Sequence, residues 1–115
     1  MRDFRKLDFW IRSHQFTLRI YSITKSFPKE EMFGLISQMR RSSSSIPTNI
    51  AEGCGFNTNP QLKKSFNISI ASCSELQYQL LLARDLSYIN ELIFSELYNE
   101  IQEIRKMIYT YITRF

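Results

Sequence analysis

Arg5, Arg12 and Arg19 recur at seven-residue steps, and Arg40 and Arg41 stand side by side ahead of the tetraserine Ser42 to Ser45. Guanidinium groups suit binding better than bond-making, because each is permanently charged and presents a rigid fork of donors to phosphate or carboxylate. On a helix a seven-residue step returns to nearly the same face, so at least Arg12 and Arg19 form a basic edge beside an apolar stripe. Either that edge is merely solvated or it meets a polyanion. On the second reading Arg12, Arg19, Arg40 and Arg41, with the basic arm of residues 1 to 7, are the candidate nucleic-acid contacts.

The other reactive side chains do not assemble into a catalytic set. His14 is the only histidine and lies one turn from Trp10 and Leu18, with no Cys, Asp or second His at a ligand spacing. A helical nuclease needs an arginine a few residues before such a histidine to stabilise phosphate charge; here Leu7, Asp8 and Phe9 occupy those places. Glu52 and Glu75 could do acid–base work only with a polar partner that the spacing does not supply, so salt bridges to Arg40 or Arg41 are expected instead. Cys54 and Cys73 belong to no CxxC pair and no zinc-like cluster, and read as buried, reduced thiols. No enzyme, metal or cofactor is expected.

Helices must position these groups. Three glycines and three prolines in 115 residues leave little material for hairpins, and the chain is long enough for one domain with its own core. We expect an all-α, antiparallel up-and-down four-helix bundle over residues 1–115, with helices near 8–25, 28–53, 60–86 and 90–113. Asp8, Asn59 and Asn90 are the expected N-caps, with Pro28 and Pro60 in first-turn positions. In the second helix Leu35, Gln38, Ser42, Ser45, Asn49 and Gly53 form an inward, partly polar stripe, and Pro47 is expected to kink it. In the third, Leu62, Phe66, Ser69, Cys73, Leu76, Leu80 and Ala83 make an antiparallel seam. Ile11 and Leu18 lie off the core face of the first helix, as a subunit contact or as ordinary surface aliphatics.

Charge is uneven. Residues 1–41 carry nine basic and four acidic side chains, a net +5, against −1 for the rest. Such asymmetry fits a polyanion-binding surface or simple solubility. Lys63 and Lys64, in the first turns of the third helix, are solvated or held near an anion, and Tyr109, Tyr111 and Phe115 at the end of the fourth could interleave with bases or belong to the core. No apolar run is long enough for a membrane span and no secretory leader is visible, so a cytoplasmic protein is expected.

Three segments carry a resemblance: FWIRSHQFTLRIYSITKSFPKEEMFGLISQMRR, SIPTNIAEG and FNISIASCSELQYQLLLARDL. They resemble the bacterial four-helix-bundle proteins known as 23S rRNA intervening-sequence proteins, most specifically at Trp10, Tyr21, Phe27-Pro28, Glu31, Gly34-Leu35, Gln38, Arg41, Ser45-Ile46 and Asn49 through Gly53. The tetraserine departs from a family pattern in which alanines are commoner. The resemblance implies a ring-like homopentamer, and a similarity to the accessory variability determinant protein of diversity-generating retroelements, which engages a reverse transcriptase and RNA through a basic surface. It implies no catalysis. The function expected on these grounds is a non-enzymatic, oligomeric accessory factor that binds RNA or DNA. The alternative is a protein-interaction module for a partner such as a reverse transcriptase. Within the arginine set, Arg40 is expected to bind ligand and Arg41 to be architectural, held by Glu52 or Glu75.

Overall fold

The computed structural model describes residues 2–115. Four helices carry the chain: α1 (Asp8–Thr24), α2 (Leu35–Cys54), α3 (Asn59–Asp85) and α4 (Glu91–Ile112), with 3-10 turns at Phe4–Lys6 and Lys29–Glu31 and no strand among the described residues. Short connections make successive helices antiparallel, and α4 returns to α1, closing an up-and-down bundle of 43 × 24 × 20 Å. The apolar stripes meet inside it. Ile20 of α1, Met39, Ile46 and Ile50 of α2, Leu62, Phe66, Leu76 and Leu80 of α3, and Leu97, Ile101, Ile104 and Ile108 of α4 are withdrawn from solvent.

Three helix starts differ from the expectation. Residues 28–53 do not form one helix: Pro28 is extended, a 3-10 turn follows, and α2 begins only after Gly34, whose ψ of −112° lies far from the helical value. A carboxylate caps the new start, because Glu31 Oε1 accepts from the Leu35 N–H at 3.2 Å. Its other oxygen accepts from the Tyr88 hydroxyl at 2.9 Å, tying this break to the α3–α4 turn and raising the phenol's pKa. Asp8 is the first residue of α1 rather than its cap; Leu7 takes that place, its carbonyl accepting from Trp10 and Ile11. Thr58, one residue before the expected Asn59, caps α3 through Gln61 N–H. Asn90 does cap α4, accepting from Ile93 N–H at 2.8 Å, with Ile89 and Phe94 buried on either side.

Pro47 lies inside α2 and is buried, and the helix continues through it. Its missing N–H frees the Ser43 carbonyl, which accepts instead from Thr17 Oγ1 at 2.9 Å, while the Pro47 carbonyl accepts from Trp10 Nε1 at 3.2 Å. The proline thus exchanges one intrahelical bond for one that joins α2 to α1, and the Trp10 indole adds a second tie at the same point.

The α2–α3 seam is built from small polar residues, each satisfied. Ser42 Oγ donates to Gln79 Oε1 at 2.6 Å, Ser69 Oγ to the Ile46 carbonyl at 2.9 Å, and Ser72 Oγ to Ser45 Oγ at 2.9 Å. Gly53 lets the helices close, since a Cβ there would stand 2.7 Å from the Phe66 ring. The expected inward stripe holds at Leu35, Ser42 and Gly53, is half-buried at Ser45 and Asn49, and fails at Gln38, which is exposed. Cys54 and Cys73 are buried and unbonded, and burial pushes the Cys73 thiol up to about 12, which leaves it unreactive at neutral pH.

Candidate nucleic-acid interface

The four candidate arginines fall into two pairs in two different grooves. Arg12 and Arg19 line the α1–α4 groove, each bound to a carboxylate of α4. Arg12 Nε and Nη2 donate to the two oxygens of Glu100 at 2.9 and 2.6 Å, and Arg19 Nη2 donates to Glu96 at 2.6 Å. The Glu100 contact raises the Arg12 pKa still further. Arg40 and Arg41 share a hollow of about 530 Å³ between α1 and α2. Arg40 donates to Thr24 Oγ1 at 3.0 Å and to the Tyr21 carbonyl at 3.2 Å, and its guanidinium lies 4.7 Å from the centre of the Tyr21 ring.

Arg41 is exposed and, among the described residues, forms no ion pair; nor do Glu52 and Glu75. The expected carboxylate clamp on Arg40 or Arg41 is therefore absent. Its carboxylate candidates lie on the outer surfaces of α2 and α3, and Arg40 satisfies itself on α1 instead. His14 is exposed and stacks flat on Trp10, centroids 5.2 Å apart.

Residues far apart in sequence converge at one end of the bundle, where α1 begins, α2 ends, α3 begins and α4 ends. Two hollows open there. One, of about 430 Å³, is lined by Arg2, Asp3, Phe4, Arg5, Ala51 and Gly55. The other, of about 490 Å³, is lined by Asn59, Pro60, Lys63, Lys64, Asn67 and Phe115. Arg2 spans the two: its backbone N–H donates to the Cys54 carbonyl at 3.2 Å, and its guanidinium lies 5.0 Å from the centre of the Phe115 ring. Arg114 lies 5.4 Å from the Tyr111 ring.

Counting the arm, this pole carries Arg2, Arg5, Lys6, Lys63, Lys64 and Arg114 against Asp3, Asp8 and Glu52. Asp3 is committed to Arg5, which holds its carboxyl below the usual range. Among the described residues Arg2, Lys63, Lys64 and Arg114 have no carboxylate partner. Sequence spacing exposed the pieces, the arm, the lysine pair and the aromatic end of α4, but not their meeting. Cations interleaved with rings can bind polyanions. The described residues contain no cluster of three or more potential metal ligands, and no helix is long and apolar enough to cross a membrane.

The fold is similar to that in a crystal structure of a protein of unknown function from the S23 ribosomal protein family of Bacteroides thetaiotaomicron VPI-5482. The TM-score is 0.84 at 24% identity, over 91% of this chain and 95% of that one. No curated protein matches the chain significantly. Residues 5–110 match the family model described as 23S rRNA-intervening sequence protein, and the chain belongs to that family.

Proposed function

We propose that this protein is a non-enzymatic, oligomeric accessory factor that binds nucleic acid, RNA or DNA, through its basic pole. The observation that carries the reading is the convergence of the arm, Lys63 and Lys64, and the Phe115–Arg114 end of α4 around two adjoining hollows. Within the arginine set, Arg41 has the guanidinium most available to a phosphate, whereas Arg12 and Arg19 are neutralised by α4. Binding by such groups releases counterions, so affinity falls steeply with salt and varies little with base sequence. The test is a pair of isotherms on a structured RNA and an unrelated duplex at two salt concentrations. Lys63→Gln with Lys64→Gln should weaken both and flatten the salt slope by about 2.

A second reading, a protein-interaction module, is favoured by one feature. Phe33 is 93% exposed and shares the Arg40–Arg41 hollow with Met32 and Tyr21, and Phe, Met, Tyr and Arg are enriched at protein interfaces. That surface suits self-association, for which a homopentamer is our proposal, or a partner such as a reverse transcriptase. Absence of polyanion binding at low salt would select this reading; sedimentation of wild type and Phe33→Ser tests the contact.

A further inference from the structure

We propose that the basic pole takes unpaired nucleotides, with a base stacked on the Phe115 ring and the flanking phosphates held by Lys63, Lys64 and Arg2; this rests on the nucleic-acid reading above. Phe115 is a supported platform. Its ring meets Tyr111 edge-on at 5.5 Å, and Tyr111 in turn packs on Phe66 at 5.7 Å and Phe9 at 5.3 Å, so a ring on the surface is anchored through a ladder to the core. The same ring lines the hollow that holds both lysines and the amides of Asn59 and Asn67.

An unpaired base can offer its face to the ring, its edge to those amides and its phosphates to the cations. A duplex cannot. Its base faces are covered by their neighbours, and reading its edges requires an element that enters a groove. Here every helix keeps its apolar stripe in the core, and among the described residues no helix or ribbon projects from the pole. Arg2 lies over the Phe115 ring and is the group that moves when a base arrives; its guanidinium then serves a phosphate, while its backbone stays pinned to Cys54.

The experiment compares an oligouridylate with an RNA duplex of equal phosphate number, bound to the full chain at one low salt concentration. Wild type should favour the single strand by roughly tenfold or more, the range of one base–aromatic stack. Phe115→Leu should abolish that preference, lowering single-strand affinity about tenfold more than duplex affinity with the salt slope kept, whereas Lys63→Gln with Lys64→Gln should weaken both ligands together and flatten the slope. Helical circular dichroism and melting of each variant confirm that the bundle is intact; if Phe115→Leu unfolds it, Phe115→Tyr, which keeps a ring, must retain the preference. Equal binding of the two ligands by wild type, or a preference that survives Phe115→Leu, overturns the stacking inference alone. Binding of neither ligand overturns the nucleic-acid reading itself.

Discussion

Arg12 and Arg40 show how a side chain's partner decides its role. Arg12 makes a two-pronged contact with Glu100 at the half-exposed α1–α4 groove, so a double-mutant cycle on Arg12→Ala and Glu100→Ala should give a coupling of about 0.5–1 kcal/mol in denaturant melts. Arg40→Ala removes two hydrogen bonds and a ring contact and should cost about 1 kcal/mol, while exposed Arg41→Ala should stay within about 0.5 kcal/mol. A larger loss at Arg41 than at Arg40 would reinstate the assignment expected from sequence. The heptad spacing of Arg12 and Arg19 was enough to see a basic edge. Their acceptors are 88 and 77 residues away on α4, and no local pattern reports which carboxylate a distant helix will present.

Element ends are less legible in the sequence than helix faces, because several groups compete to satisfy the same few N–H and C=O groups. Thr58 outcompetes Asn59 as a cap by a single residue, and Glu31 ends the run from Pro28 by reaching forward to Leu35. Pro47 reads in the sequence as a kink within α2, but its consequence depends on Thr17, which lies on another helix. Thr17→Val strands the Ser43 carbonyl and should cost about 1–3 kcal/mol; in a Pro47→Ala background, where an N–H is restored at position 47, the cost should be markedly smaller. Equal costs in the two backgrounds would show that the carbonyl has another donor. The α3–α4 turn offers a gain. Ser87 sits at φ 63°, with its N–H on Arg84 O and the Tyr88 N–H on Ala83 O, the pattern in which glycine is usual. Ser87→Gly should therefore raise stability by up to about 1 kcal/mol, seen as a higher urea midpoint at unchanged slope.

At the scale of the whole molecule, the bundle was legible from its stripes, whereas the pole was not, since it exists only once four helices bring residues 2 and 115 together. The opposite end is charged differently. Lys25, Lys29 and Arg84 are set there against Glu30, Glu31, Asp85 and Glu91, a net −1 against +3 at the basic pole, while the side chains between them, ion pairs of the α1–α4 groove included, sum to +2. The bundle therefore carries an electric dipole along its 43 Å axis. The proposed polyanion ligand would exert a torque on such a rod before contact and meet it end-on, so added salt should slow association far more than dissociation in stopped-flow traces. Copies standing side by side in a ring would point their dipoles the same way and repel. Salt, by shortening the range of that repulsion to about 10 Å at 0.1 M, should then tighten the ring while it loosens the polyanion, two opposite responses from one separation of charge.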